Sequence, residues 1–300
     1  MGSAEEQQPQ DTFEQAASEA ESSGGGPDDA NDLRGFHFKR LMSSTATLVV
    51  IGICVVAAGL ATGIFIKNAP VGAGAAVAAL LLGVLVVFVI ADSRAADAFF
   101  ESYAMSHEMT LRDGRSRLPG ATPLLTKGDD RYAERLLEGP FGPGVEGKLA
   151  NFTYEEERYS KDGKETDYYR YTVGLTQVPE SAGVVPELYV QRKSGLRSLE
   201  KFEDAFRGSK ERVKFESEQM DRKYEIFIRE GQDENWLRQL FSPTFIVWMI
   251  EKAPDKFAFE LVGGNLCCYV NGHKENAAVL DQVRGATTAV ATRLREEALE

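Results

Sequence analysis

The chain has 300 residues, of which 34 are Lys or Arg and 46 are Asp or Glu, so its formal net charge is -12 at pH 7. This acidic balance predicts no nucleic-acid partner, because a phosphate backbone is bound by clustered Lys and Arg. The 3 cysteines cannot build a disulfide framework, and together with the 3 histidines they show no metal-ligand spacing. We therefore expect no metal and no cofactor.

The N-terminal region divides by charge into two segments. Residues 1–33 contain Asp and Glu but no Lys or Arg, and they include few large apolar residues. Such a segment cannot bury enough surface to offset the entropy of ordering, so it is predicted to be a disordered acidic tail. Residues 34–45 carry Arg34, Lys39 and Arg40 and are expected to form a basic juxtamembrane segment.

Two apolar runs lie between residues 46 and 91, and only the short break at 67–70 separates them. Each run has the roughly 20 residues that a helix needs to cross the hydrocarbon core of a bilayer. The break is too short to carry a domain across the membrane, so 46–91 predicts a transmembrane helical hairpin. Basic residues before the first helix, and Arg94 after the second, favour a multi-pass protein of the cell membrane with both termini cytoplasmic.

Small residues recur on one face of each predicted membrane helix. Stripes of this kind let helix backbones approach closely in lipid. We expect them to pack the hairpin on itself, or alternatively to join copies of the chain into a homo-oligomer. The predicted helix-packing residues are Gly52, Gly59, Gly63, Gly72, Ala76, Ala79 and Gly83.

Residues 92–109 are predicted to continue the second helix as a stalk, and 110–300 to form a soluble domain. The domain opens with an amphipathic helical pattern at Asp130–Leu137 and then changes to the alternation that is typical of strands. Ala150, Phe152 and Tyr154 share one face of the first strand. Further strands are predicted around 169–175, 188–190, 211–217, 222–229, 257–261 and 266–270, with hairpin turns at Ser160–Gly163 and Gly263–Asn265.

Helical patterns are interleaved with these strands. A short helix is predicted at Leu196–Phe206, another after Asp233, and a third where Ser242 precedes Pro243 as a cap. Residues 275–298 form a closing amphipathic helix. The fold class is therefore α+β: the two-helix transmembrane hairpin is followed by a soluble domain with a largely antiparallel sheet and a C-terminal helix. A barrel of the pleckstrin-homology type is the alternative for that domain.

Two motifs resemble catalytic or cofactor sites but have simpler explanations. The run from Gly142 to Gly147 matches a dinucleotide fingerprint, yet it leads into a strand and not a helix, which indicates a loop. Cys268 and His273 lie at opposite ends of a strand-to-turn step with no acidic residue to orient the histidine, so a buried structural cysteine is expected. We predict no catalytic, cofactor-binding or metal-binding residue, and a chain that is not an enzyme.

Tyrosines cluster in the first predicted hairpin. By alternation Tyr159 lies on the face opposite to Tyr154, and Tyr168 on the face opposite to Tyr169. Cross-strand aromatic pairing explains most of the cluster. Tyr159 and Tyr168, on the outer face, are a possible interface with a protein partner.

Several short motifs follow one another along the soluble domain. They are Pro123–Leu125 with Gly128, Phe152–Tyr154, Tyr169–Tyr171, Val213–Asp221 with Tyr224, Leu240–Pro243 and Gly263–Leu266. Their order resembles a family of actinobacterial membrane proteins in which an apolar hairpin precedes a domain of unknown function. The resemblance spans most of residues 110–275 and implies this architecture, but no activity, ligand or catalytic residue.

Two functions remain open at the level of sequence. The first is a membrane-anchored, non-enzymatic interaction or scaffold domain that uses the lipid bilayer and an unidentified protein as partners. The alternative is a ligand-responsive membrane sensor or effector that acts through oligomerisation of the hairpin. A discrete protein partner would favour the first, and a bound small molecule the second.

Overall fold

A computed structural model of the protein describes residues 52–58, 60–61, 69–112, 114–161, 163–193, 210–232 and 234–299. The predicted acidic tail and basic juxtamembrane segment lie outside these residues. The described chain divides into two compact units. One contains the apolar helix as far as Tyr103, and the other begins at Ala104 and holds the sheet.

The longest element is α1 (Ala69–Ser106), a helix of 38 residues. Within the described residues, one stretch of helix, Val77–Ser106, is long and apolar enough to cross a membrane. Most of the large apolar side chains between Val77 and Ile90 are exposed, with Leu81 at 65% and Leu82 at 62%. Because a continuous apolar surface is unfavourable in water, this helix supports association of the chain with a membrane.

Of the predicted two-helix hairpin, the part of the chain that the structure describes contains one candidate span. The first apolar run is described only at 52–58 and 60–61, both helical, so the first membrane span stays a prediction. The second run is continuous with the segment 92–109, since α1 extends to Ser106.

The predicted helix-packing residues fall partly within the described helices. Gly59 and Gly63 lie outside the described residues, and Gly52 lies in the helical piece 52–58. Gly72, Ala76, Ala79 and Gly83 all lie on α1. Close helix packing through these residues stays a prediction.

Among the described residues, the unit that begins at Ala104 contains a sheet of nine antiparallel strands. Its order is β1-β2-β3-β4-β9-β8-β5-β7-β6, so the two edge strands are β1 and β6 and the sheet is open. This arrangement, with a helix at the C-terminus, confirms the predicted α+β class and the large antiparallel sheet. The strands are β1 (Thr110–Arg112), β2 (Asp130–Gly142), β3 (Val145–Ser160), β4 (Gly163–Gln177), β5 (Glu187–Arg192), β6 (Lys210–Val213), β7 (Tyr224–Arg229), β8 (Ala258–Val262) and β9 (Asn265–Asn271).

Both predicted hairpins are present. Strands β3 and β4 pair from Gly147 opposite Thr176 to Ser160 opposite Gly163. Strands β8 and β9 are joined by Gly263 and Gly264, whose φ angles of 53° and 78° suit a two-residue hairpin turn that other residues rarely adopt.

The segment Asp130–Leu137, predicted to be helical, is instead the first part of β2. A register shift between Ala133 and Arg135 inserts an extra residue into β2 relative to β3. This bulge leaves Tyr132 and Ala133 buried, and then Leu136 and Leu137 four residues later. A spacing of four imitates one turn of an amphipathic helix, which is why the sequence pattern is misleading here.

The predicted strand at 211–217 is shorter in the structure. Strand β6 ends at Val213, and the short helix α2 (Glu218–Lys223) precedes β7. Ser217 caps this helix, because its side-chain oxygen accepts a hydrogen bond from the backbone N–H of Met220. The predicted helix Leu196–Phe206 lies outside the described residues.

The three remaining helices are α3 (Glu234–Leu240), α4 (Pro243–Glu251) and α5 (Ala277–Leu299), as the sequence predicts. The predicted cap of α4 is confirmed, since Ser242 Oγ accepts a hydrogen bond from Phe245 N at 3.4 Å. Helix α5 buries an apolar stripe, and Thr288 Oγ1 donates a hydrogen bond to Phe141 O at 3.2 Å.

The two faces of the sheet are covered by different elements. Helix α5 packs on β4 and β9 on one side, here called the helix face. The opposite side, the loop face, carries Phe152, Tyr171 and Cys267, and it packs against Leu124 and Leu125 of the segment that leads into β2. We call residues 119–125 the covering segment, and they border the candidate site.

Candidate functional site

A cleft of about 540 Å³ opens at one end of the sheet. It is bordered by the covering segment at 119–125, the β2–β3 hairpin, the paired ends of β4 and β9, and Arg295 of α5. Small-molecule sites in proteins are commonly clefts of about 300–1,000 Å³, so this one has room for a ligand of that class.

The cleft combines an apolar floor with amide side chains. Leu125, Leu175 and Leu266 supply apolar surface. Gln177 and Asn265, which are direct partners in the β4–β9 register, bring two carboxamides to the same opening. An apolar floor with a few polar groups is the usual composition of a site that binds and orients a small molecule.

One wall of the cleft carries a linked set of charges. Glu138 accepts two hydrogen bonds from Arg112, at 2.9 and 2.8 Å, and one from Lys148 at 2.6 Å. The bond from Lys148, followed by those from Arg112, lowers the pKa of the Glu138 carboxyl below its ordinary value. Glu138 therefore stays ionised and holds Lys148 in place at the cleft.

A second acid and a second base also border the cleft. The exposed residue Glu146 lies two positions before Lys148 on β3, and its backbone oxygen accepts a hydrogen bond from Thr176 Oγ1 at 2.6 Å. The Arg295 guanidinium lies 3.5 Å from Glu180 Oε1 and also donates to Gly144 O at 3.5 Å. The side chains that border the cleft therefore bring two acids and two bases.

The shape of the cleft depends on the absence of a side chain at Gly147. A Cβ atom there would lie 2.8 Å from the backbone oxygen of Leu175 and 2.8 Å from the Phe141 ring. Neither contact can be relieved by moving the end of a flexible chain. Gly147 thus permits β3 and β4 to pair closely beside the cleft.

A buried carboxylate holds the covering segment against the loop face. Glu260 of β8 is 1% exposed, and its Oε2 accepts a hydrogen bond from Leu124 N at 2.9 Å. Burial raises the pKa of the Glu260 carboxyl, and the Leu124 N–H, the Thr122 hydroxyl and the charge of Lys127 oppose that rise. Thr122 and Leu125, which lie within two residues of Leu124, border the cleft, so Glu260 holds this part of the cleft wall through the Leu124 backbone.

Two buried lysines interact electrostatically with Glu260. Burial lowers the pKa of Lys127 to about 8, against the opposing effect of Glu260. Burial likewise lowers the pKa of Lys210 to about 8, against the effects of Glu187 and Glu260. The Lys210 ammonium lies 3.3 Å from the centre of the Tyr189 ring and 3.6 Å from Glu187. Neither lysine borders the cleft itself.

The predicted interface residues Tyr159 and Tyr168 lie away from the cleft, at the opposite end of the β3–β4 hairpin. Residues 155–160 pair with 163–168 and form a two-stranded ribbon. Among the described residues of this ribbon, only Glu155 at its base also pairs with β2. Tyr159 is 78% exposed and Tyr168 is 52% exposed. The register places them on one face, four residues or about 13 Å apart along the strands.

Cys268 and His273 do not form a nucleophile and base. Cys268 is fully buried, and burial raises the pKa of its thiol, with Thr287 as its hydrogen-bond partner. His273 Nε2 lies 3.1 Å from Thr153 Oγ1, and its Nδ1 lies 3.8 Å from Glu134. Cys267 is also fully buried, on the loop face opposite Glu260. The structural role predicted for Cys268 agrees with this geometry.

Ser106, His107 and Asp281 lie in a line that resembles a nucleophilic triad. Ser106 Oγ is 3.0 Å from His107 Nδ1, and His107 Nε2 is 3.0 Å from Asp281 Oδ1. Ser106 ends a helix, where carbonyl oxygens and the negative end of the dipole disfavour an anionic intermediate. With Arg284 also 3.3 Å from Asp281, the cluster joins α5 to residues 106–107.

Sequence reasoning missed the cleft because its borders come from distant parts of the chain. Thr122, Glu146, Gln177 and Arg295 are brought together only by the strand order and by α5. Glu260 gives no signal either, since a Glu between Phe259 and Leu261 is normal for a strand with one solvated face. Its burial follows from the covering segment.

Among the described residues, no group of three or more His, Cys, Asp and Glu side chains is placed to hold a metal ion. Comparison with known proteins identifies no matching family model, no matching curated protein and no matching solved structure. The resemblance to actinobacterial membrane proteins therefore stays a prediction.

Proposed function

We propose that the chain is a membrane-anchored, non-enzymatic binding domain that takes a small molecule into the cleft at the end of its sheet. One observation carries this proposal: a cleft of about 540 Å³ has an apolar floor, two carboxamides and charges of both signs at its border. Its wall is fixed by Glu260 and by the Glu138 ion pairs, so the site is largely formed before a ligand arrives. Preformed sites bind without the entropic loss of ordering a loop.

The membrane anchor in this proposal is the hairpin over 46–91, with both termini in the cytoplasm. The exposed apolar surface of α1 supports one span. The apolar run before residue 67 and the basic residues Arg34, Lys39 and Arg40 support the second span and the orientation. Ligand binding would then act on hairpin association through the small-residue stripes.

Labelling of single introduced cysteines tests this topology in intact cells. An impermeant thiol reagent should label a cysteine placed at Asn68 and should leave cysteines placed at Ser22 and Gly272 unmodified. Labelling at Gly272 from outside would contradict the cytoplasmic assignment.

The binding proposal is tested with the full chain in lipid nanodiscs. We would expose it to a defined mixture of small metabolites and identify the retained compounds by mass spectrometry. Ala121 borders the cleft, so Ala121→Trp should fill it and abolish retention of the compounds that the natural chain holds. Tyr159→Ala, far from the cleft, is the matched control and should retain them. Retention that is equal in all three proteins, or absent in all three, contradicts the proposal.

A second candidate function is docking of a protein partner on the ribbon. Tyr159 and Tyr168 favour it, because large exposed aromatic side chains on one face are typical of binding surfaces. Photo-crosslinking from position 159 in the full chain should then give one discrete adduct, which Tyr168→Ala weakens and Ala121→Trp leaves unchanged. A diffuse set of adducts, insensitive to Tyr168→Ala, counts against a specific partner.

A further inference from the structure

The charges at the cleft indicate what kind of small molecule would fit. Two acidic residues, Glu138 and Glu146, and two basic residues, Lys148 and Arg295, border it. The two bases already contact acids, Lys148 at 2.6 Å from Glu138 and Arg295 at 3.5 Å from Glu180. A polyanion such as a nucleotide needs surplus positive charge, and this balanced set does not provide it.

Glu146 and Lys148 form the part of this set that can hold opposite charges on one ligand. They are two residues apart on β3 and therefore project from the same face, about 7 Å apart along the strand. Glu146 is an exposed residue, and the Lys148 side chain is 43% exposed. An ammonium has three N–H donors, so Lys148 can bind an anion while it keeps its bond to Glu138.

The rest of the cleft suits the body of such a ligand. Leu125, Leu175 and Leu266 provide apolar contact in the cleft. Gln177 can donate and accept hydrogen bonds. The Asn265 carboxamide already donates to Val262 O and Gly263 O, and its side-chain oxygen can still accept a bond from a peptide N–H. Two residues of extended peptide span at most about 7 Å, close to the Glu146–Lys148 spacing.

We infer that the cleft binds a zwitterion with an apolar body, its ammonium on Glu146 and its carboxylate on Lys148. A free amino acid and a short peptide share this chemistry, and the ligand class rests on the proposed binding function. The strand spacing favours the peptide. Binding requires both charges, because each would meet a preformed partner of opposite sign.

Isothermal titration of the full chain in nanodiscs at pH 7 tests this inference. The probes are leucyl-leucine, leucine, N-acetyl-leucyl-leucine, leucyl-leucinamide and inorganic pyrophosphate. Leucyl-leucine should bind best, and blocking either of its charged termini should weaken binding at least about tenfold, the usual loss for a hydrogen bond to a charged group. If leucine binds as tightly as leucyl-leucine, the ligand of the cleft is a free amino acid and not a peptide.

Matched variants assign the two charges. Glu146→Gln should weaken leucyl-leucine at least about tenfold and leave the N-acetyl probe unchanged, because that probe has no ammonium to lose. Lys148→Gln should weaken leucyl-leucine at least about tenfold and leave leucyl-leucinamide unchanged, because that probe has no carboxylate to lose. Arg112 still pairs with Glu138 in this variant. Glu165→Gln on the ribbon is the control and should have no effect.

The outcomes separate this inference from the proposed function. Three results would overturn the inference that the ligand is a zwitterion: equal binding of blocked and unblocked probes, preference for pyrophosphate, or no binding of any probe. The proposed function still stands in those cases if Ala121→Trp abolishes retention of other metabolites. It fails only if that retention test fails.

Discussion

At one end of the β3–β4 hairpin the two strands lie inside the nine-stranded sheet, and at the other end they form the exposed ribbon. Phe152 and Tyr171, which face each other in the inner part, are each 1% exposed, whereas Tyr159 on the same strand is 78% exposed. The register between β3 and β4 runs unchanged through both parts. Whether a residue of this hairpin is buried therefore depends on the adjacent strands, since β2 and β9 flank the inner part and not the tip.

The two parts are also held together differently. The ribbon relies on ion pairs, from Arg158 to Asp167 and from Lys164 to Glu157, each at 2.6 Å. Exposed pairs contribute little, and an isolated two-stranded ribbon is marginally stable in water. The inner part has a packed aromatic core beside a fixed cleft. This difference suits the inner part to a preformed small-molecule site and the ribbon to a partner surface that adapts.

The largest expected effect separates an inner from an outer aromatic residue of the same strand. Phe152→Ala should lower the free energy of unfolding by about 3–5 kcal/mol, because it leaves a cavity in the core of the loop face. Tyr159→Ala should change it by at most about 0.5 kcal/mol. Denaturant unfolding of the full chain in detergent micelles, followed by the fluorescence of Trp236 and Trp248, measures both. Equal losses would contradict the division of the hairpin.

Glycine substitutions beside the cleft should have the next largest effect. Gly147→Ala places a Cβ atom 2.8 Å from Leu175 O and from the Phe141 ring, and we expect a loss of about 1–3 kcal/mol. Gly144→Asn is the control, because no atom lies within 4 Å of the added Cβ and Asn tolerates the φ of 68° there. The same unfolding assay compares them. A loss at Gly144 as large as that at Gly147 would show that close packing is not the cause.

The contrast between these two regions also explains how far the sequence predicts the structure. Alternation places Phe152 and Tyr171 on one face correctly, and the caps of α4 follow from Ser242 and Pro243 because these signals are local. The bulge at Ala133 imitates a helical spacing, so β2 cannot be recognised from its pattern. The cleft cannot be predicted either, because Thr122 and Arg295 meet only through the strand order and the covering segment.

The pKa values of the buried Lys127 and of Lys164 on the ribbon are shifted in opposite directions. Burial lowers the pKa of Lys127 from 10.5 to about 8, whereas the hydrogen bond to Glu157 raises that of Lys164 on the ribbon. Between pH 8 and 10.5 the unfolded chain binds more protons at Lys127 than the folded chain does, so its contribution to stability rises with pH. The rise is at most about 1.4 kcal/mol per pH unit.

The measurement is the difference in unfolding free energy between the natural chain and Lys127→Met from pH 7.5 to 9.5. The difference removes the contribution of the buried cysteines, whose raised pKa values act with the opposite sign in both proteins. Lys164→Met should give no pH-dependent difference in this range, because a raised lysine pKa affects stability only at higher pH. A flat difference for Lys127→Met would mean that its ammonium is not desolvated.

The smallest expected effect is at the ion pair between Arg158 and Asp167 on the ribbon. Their side chains are 52% and 32% exposed, so solvent screens the pair despite its short distance of 2.6 Å. A double-mutant cycle with Arg158→Ala and Asp167→Ala should give only a small coupling, which falls with added salt. The unfolding assay reads mainly the inner core, so the cycle should be measured by amide exchange at Tyr159 and Lys164. A large coupling that resists salt would show that the ribbon is as rigid as the inner part, and it would remove the adaptability on which partner docking depends.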